Sequence, residues 1–91
     1  METFSDEEEA VRRANAVPYG LSASVWTENA RRSHDIAARL DSGTVWVNAH
    51  LVLATEAPWG GFKGSGYGRD LSIYALDDYS RTKHVMHHVG R

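Results

Sequence analysis

Leu21-Ser22-Ala23-Ser24-Val25-Trp26, Thr27-Glu28-Asn29, an apolar stripe at Ala30, Ile36, Ala37 and Leu40, then Thr44-Val45-Trp46-Val47-Asn48: this stretch decides the fold. In its first segment Leu21, Ala23 and Val25 alternate with Ser22, Ser24 and Trp26, the period-two pattern of a strand. Thr27 or Asn29 can cap the helix that the stripe predicts. Gly43 stands where a helix C-terminus favours a residue with positive φ. The last segment is short, β-branched and bulky on both faces, which predicts a strand buried within a sheet rather than at its edge. Strand, helix and strand in this order predict a parallel βαβ crossover, right-handed by default. The fold class is α/β, with a partial open sheet.

Toward the N-terminus, Ser5 and Glu8 have capping-box spacing, and acids fill the first turn of the helix that would follow. Ala10, Val11 and Ala14 recur at helical spacing, so a helix is expected over residues 6–16, ended by Pro18 and Gly20. Toward the C-terminus the character changes. Residues 49–70 hold Pro58 and Gly60, Gly61, Gly64, Gly66 and Gly68, and read as a long Gly-rich loop. Trp59, Phe62 and Tyr67 argue that this loop is packed rather than a disordered linker. A short helix over residues 71–79 is expected next. The alternation from Thr82 to Val89 reads as a terminal strand whose partner is not evident in the chain. One partial domain over residues 1–80 with a strand over 81–90 describes the whole, and no repeat interrupts it.

At 91 residues the chain is one small domain, and such a length buries only about 60–65 % of its unfolded surface. Its net charge of −2 gives no electrostatic reason to expect nucleic acid or an anionic membrane. It has no cysteine, which removes disulfides, thiolate metal sites and thiol nucleophiles together. The acidic start lacks the apolar core of a signal peptide, and no apolar run is long enough to span a bilayer. A soluble, cytoplasmic protein is the expectation.

Several motifs invite chemistry and most decline it. Gly64-Ser65-Gly66-Tyr67-Gly68 lacks both GxGxxG spacing and a preceding strand, so turning glycines explain it better than a phosphate cradle. His84, His87 and His88 lie close in sequence, but strand alternation points His87 away from the other two, and no metal site is expected. Ser65 lacks the strand–turn–helix setting of a nucleophile elbow. His34 and His50 have no identifiable acid–base partner, and no catalytic residue is assigned. Trp59, between Pro58 and two glycines, is either a packing anchor or a pocket wall; an indole face attracts a cationic ligand at roughly 0.5–2 kcal/mol.

Three stretches, in order and in register, then carry a resemblance: Ala14-Asn15 with Pro18-Tyr19-Gly20-Leu21-Ser22-Ala23; Ser42-Gly43-Thr44-Val45-Trp46-Val47-Asn48; and Ala57-Pro58-Trp59-Gly60-Gly61-Phe62-Lys63-Gly64-Ser65-Gly66-Tyr67-Gly68-Arg69-Asp70. Tyr79-Ser80-Arg81-Thr82-Lys83-His84-Val85 continues it. Together they resemble the C-terminal part of the NAD(P)-dependent aldehyde dehydrogenases, over nearly the whole chain. The resemblance implies that Leu21 lies near the nicotinamide, that Trp59 and Leu53 wall the aldehyde tunnel, and that Arg69 joins ion pairs near a subunit interface. Asn48, Gly60, Gly61 and Val85 take structural or interface roles, with the last strand joining an oligomerisation sheet. Tryptophan at the P-W-G-G position is similar to members that oxidise amino- or trimethylammonium-aldehydes.

The departures set the functional expectation. The family's cysteine nucleophile, glutamate base, oxyanion hole and Rossmann domain lie upstream of the matched region. Arg81 stands where many relatives carry an acid paired with the arginine matching Arg69. The chain is therefore expected to be an aldehyde dehydrogenase fragment, inactive alone, that binds neither NAD nor NADP by itself. Its partners would be further copies of itself or the missing upstream part. The alternative is a free-standing assembly module that oligomerises through its terminal strand.

Overall fold

The computed structural model describes residues 1–90. Its elements in chain order are α1 (Glu7–Asn15), β1 (Tyr19–Gly20), β2 (Ser22–Val25), α2 (Ala30–Arg39), β3 (Thr44–Val47), β4 (Phe62–Lys63) and α3 (Tyr74–Asp78). The strands β2 and β3 pair in parallel, with Ser22 opposite Thr44 and Ser24 opposite Trp46, and α2 lies between them in the chain. A second, antiparallel pair sets β1 against β4, with Tyr19 opposite Lys63 and Gly20 opposite Phe62. The architecture is a mixture of helices with two small open sheets.

Local chemistry explains the helices. Asp6, not Ser5, caps α1: its carboxylate accepts from the Glu9 amide at 2.8 Å, and the Glu9 carboxylate accepts from the Ser5 amide at 2.8 Å. The expected box has slid by one residue, because a carboxylate at position 6 competes for the helix N–H groups and favours the positive helix end. Asn29 caps α2, its Oδ1 accepting from the Arg32 amide at 3.0 Å. Asn15 then ties the two helices together. Its Nδ2 donates to the Arg39 carbonyl at 2.9 Å and its Oδ1 accepts from the Asp41 amide at 2.8 Å. Arg39 also pairs with Glu8 at 2.7 Å, and Arg32 pairs with Glu7.

Three expectations need correction. Gly43 does not have positive φ, since among the described residues only Gly66 and Gly90 are glycines in that region. It must be glycine for another reason: a Cβ there would lie 1.7 Å from the Gly60 carbonyl oxygen. The strand β3 is not enclosed on both sides, because its only strand partner among the described residues is β2, and Val47 is exposed. The segment 49–70 is not wholly irregular, as β4 and a bridge between Trp59 and Asp70 lie inside it. Residues 82–89 have no ladder partner among the described residues and are exposed throughout.

The interior is small. Among the described residues, only Val11 and Trp46 are buried hydrophobic side chains. The chain exposes 7704 Å², whereas a compact monomer of its 10.1 kDa mass would expose about 5300 Å². Its radius of gyration is 19.3 Å, against about 12 Å for a compact domain of this length. The long axis measures 78 Å, and residues 80–90 have no regular structure and are exposed throughout.

Candidate functional site

The second sheet positions the site. Gly20 passes so close to α2's exit that a Cβ would lie 2.6 Å from the Asp41 carbonyl oxygen. Its amide donates to Ser65 Oγ at 3.0 Å. Lys63 Nζ donates to the Asn15 carbonyl at 2.9 Å and pairs with Asp41 at 3.2 Å, which holds β4 over the α1 exit. These contacts bring Leu21, directly after β1, to the edge of the Gly-rich loop.

Trp59 arrives from the other side. Its amide donates to the Asp70 carbonyl at 2.7 Å, and the Asp70 amide donates back at 2.6 Å. Arg69 closes the loop around it. The guanidinium Nη1 donates to the carbonyls of Gly61 at 3.0 Å and Gly68 at 2.9 Å, and the group sits 5.6 Å from the Phe62 ring centroid. The Arg69 amide donates to Asp78 Oδ2 at 2.5 Å. Arg69 is thus a clamp on loop carbonyls within this chain, and no carboxylate pairs with its guanidinium among the described residues.

The result is a concavity of ≈ 480 Å³ whose lining includes Leu21, Trp59, Gly60, Gly61, Arg69 and Tyr79. Five of the expected site residues therefore meet at one place. Leu53 does not join them; it is exposed and is not among the lining residues. Val85 is exposed in the C-terminal segment. Asn48 serves the first sheet: its Oδ1 accepts from the Thr27 amide at 2.8 Å and its Nδ2 donates to the Thr27 carbonyl at 2.9 Å. A larger groove of ≈ 690 Å³, with Val11, Val25, Ile36 and Leu40 in its walls, opens between α1, β2 and α2 and contains none of the expected site residues.

Chemically the concavity offers an indole, a phenol and an apolar side chain beside the Arg69 guanidinium, the carboxylates of Asp70 and Asp78 and the hydroxyl of Ser65. Ser65 Oγ accepts from the Gly20 amide, Asp78 Oδ2 from the Arg69 amide and Asp70 Oδ1 from the Leu71 amide. The chain has no thiol. Sequence reasoning missed the residues behind the wall, namely Trp46, His50 and Ser24. The alternation of β2 and β3 carried a usable signal, because in-register pairing puts Ser24 beside Trp46.

Residues 1–85 match the Aldehyde dehydrogenase family. The chain is 46% identical over 85 residues to betaine aldehyde dehydrogenase of Bacillus subtilis (strain 168), covering 93% of this chain and 17% of that protein. It is 46% identical over 87 residues to retinaldehyde dehydrogenase 3 of Homo sapiens, covering 96% of this chain and 17% of that protein. Among solved structures, the NAD+ complex of aldehyde dehydrogenase from Bacillus cereus superposes with a TM-score of 0.82 at 47% identity, over 86% of this chain and 16% of that one. An indole-3-acetaldehyde dehydrogenase in complex with NAD+ gives 0.83 at 49% identity, over 88% and 16%. The chain thus spans about 17% of the length of the curated relatives it matches.

Proposed function

The chain belongs to the aldehyde dehydrogenase family, and we propose that its residues form one wall of that enzyme's substrate tunnel together with a subunit-interface strand. The reaction of the whole enzyme would be oxidation of an aldehyde to a carboxylic acid, with NAD or NADP taking the hydride. The observation that carries the reading is the meeting of Leu21 and Trp59 on one concavity, brought together from positions far apart in the chain. The substrate class that suits this wall is an amino- or ammonium-aldehyde, because an indole face held at the surface of a cavity attracts a cation.

The residues present do not fit a whole dinucleotide. The connection Trp26-Thr27-Glu28-Asn29 between β2 and α2 has no glycine, and Asn29 already takes the Arg32 amide. A pyrophosphate cradle needs both a close backbone approach and free amides. Leu21 offers the dinucleotide one apolar contact.

What these residues do is shape and exclude. Trp59, Leu21 and Tyr79 present apolar surface to the cavity, and the glycines let the backbone turn closely around it. The thiol that attacks the aldehyde must come from another segment, since the chain contains none. Purified chain mixed with aminobutyraldehyde and either dinucleotide is expected to form no reduced cofactor above background. Turnover free of host enzyme refutes the reading.

The C-terminal segment favours a second reading beside the first. Residues 81–90 are exposed and have no ladder partner among the described residues, and a segment whose backbone groups are free can pair with a sheet edge of a second copy. Size-exclusion chromatography with light scattering tests this: a defined oligomer that dissociates on removal of residues 81–91 supports strand-mediated assembly.

A further inference from the structure

The bridge to Asp70 fixes the main chain of Trp59 but not the rotation of its indole. What faces that ring is Trp46, with centroids 5.6 Å apart and planes tilted by 35°. Trp46 is itself held: it is buried, and its Nε1 donates to the Val52 carbonyl at 2.7 Å. His50 meets Trp46 edge-on, 5.0 Å between centroids at 72°. His50 Nδ1 and Ser24 Oγ share a hydrogen bond of 2.6 Å, and Ser24 is the ladder partner of Trp46 on β2. A continuous line of contacts therefore runs from β2 to the cavity wall: Ser24, His50, Trp46, Trp59. Trp46 and His50 are not among the residues lining the cavity.

We propose that Trp46 and His50 are positioning residues that set the plane of the Trp59 indole in the cavity wall. The inference rests on Trp59 being a tunnel-wall residue. Cation attraction acts over the face of the ring and fails at its edge, so the tilt of Trp59 decides whether the wall selects a positive charge. A tilted aromatic pair biases one indole orientation by roughly two- to twelve-fold over an unpaired ring. His50 in turn limits the freedom of Trp46, because its own orientation is locked by Ser24.

Two indoles this close couple their electronic transitions, so the pair gives an exciton couplet in far-ultraviolet circular dichroism. The couplet should be lost in Trp46→Phe and in Trp59→Phe and kept in Trp26→Phe, since Trp26 is exposed. Trp46 is one of the two buried hydrophobic side chains among the described residues, so the decisive variants are at His50, which is exposed. His50→Ala should diminish the couplet with the helical signal unchanged, and His50→Phe, which restores an edge contact, should recover it. Fluorescence titration with choline and its uncharged carbon isostere gives the second readout. The preference of the wild-type chain for choline should fall in His50→Ala and return in His50→Phe. An unchanged couplet in His50→Ala overturns the positioning role. A couplet that responds as expected in a chain with no preference for choline upholds the positioning role and overturns the cationic-substrate reading instead.

Discussion

Gly43 and Gly60 meet backbone to backbone, so closely that a Cβ on the first would lie 1.7 Å from the carbonyl oxygen of the second. The contact welds the start of β3 to the residue after Trp59, while the Gly43 amide donates to the Gly20 carbonyl at 3.0 Å. Three glycines therefore join the parallel pair, the antiparallel pair and the cavity wall at one point. A methyl at position 43 cannot be relieved by rotating a side chain, because the opposing atoms are main chain. Overpacking usually costs about 1–3 kcal/mol, and Gly43→Ala should sit at or above the upper end. Urea unfolding checks it; a midpoint equal to that of the wild type would mean the two segments are not in contact.

Asn48 carries two separable loads. Its φ of 55° lies in the left-handed region, and its amide bonds both polar groups of the Thr27 backbone. Asn48→Gly removes the hydrogen bonds and tolerates the conformation, whereas Asn48→Ala also incurs roughly 1–2 kcal/mol of left-handed strain. The expected order of unfolding midpoints is wild type, then Gly, then Ala. An Ala variant as stable as Gly would remove the conformational part of this account.

The displaced cap of α1 is tested by two neighbouring substitutions. Asp6→Ala should cost about 1 kcal/mol, the usual value for a lost N-cap. Ser5→Ala should change little, because Ser5 contributes its backbone amide and not its hydroxyl to Glu9. Thermal melts followed by circular dichroism separate the two. If Ser5→Ala proved the more damaging, the cap would be at position 5 after all.

Trp59→Ala should reduce affinity for choline by roughly two- to thirty-fold, the range of one cation–π contact, and should change affinity for the uncharged isostere far less. Titration by intrinsic fluorescence, with Trp26 and Trp46 remaining as reporters, measures both. Equal losses for the two ligands would identify Trp59 as apolar packing alone.

Much of the scaffold was legible in the residues. The stripe of Ile36, Ala37 and Leu40, the alternation from Leu21 to Trp26 and the β-branched run at Thr44–Val47 each announce an element through its own period. The strand β2 lacks one residue at each end of the expected stretch and β3 stops at Val47 rather than Asn48, as helix and strand ends are the least determined part of any pattern. The pair β1 and β4 escaped notice because two-residue strands are too short to show a period. The guanidinium of Arg69 donates to carbonyls of its own loop, and backbone acceptors leave no mark in a sequence.

The order of elements, the lack of a thiol and the family resemblance followed from the sequence by itself, since periodicity, composition and motif spacing are properties of neighbours along the chain. Only the tertiary structure decided that Gly43 answers to Gly60, that Leu21 and Trp59 share a wall while Leu53 stands apart, and that Ser24, His50 and Trp46 line up behind that wall. Those relations join residues distant in sequence, and they are settled by which backbones approach closely enough to exclude a side chain or exchange a hydrogen bond. No local pattern encodes such an approach until the chain has closed on itself.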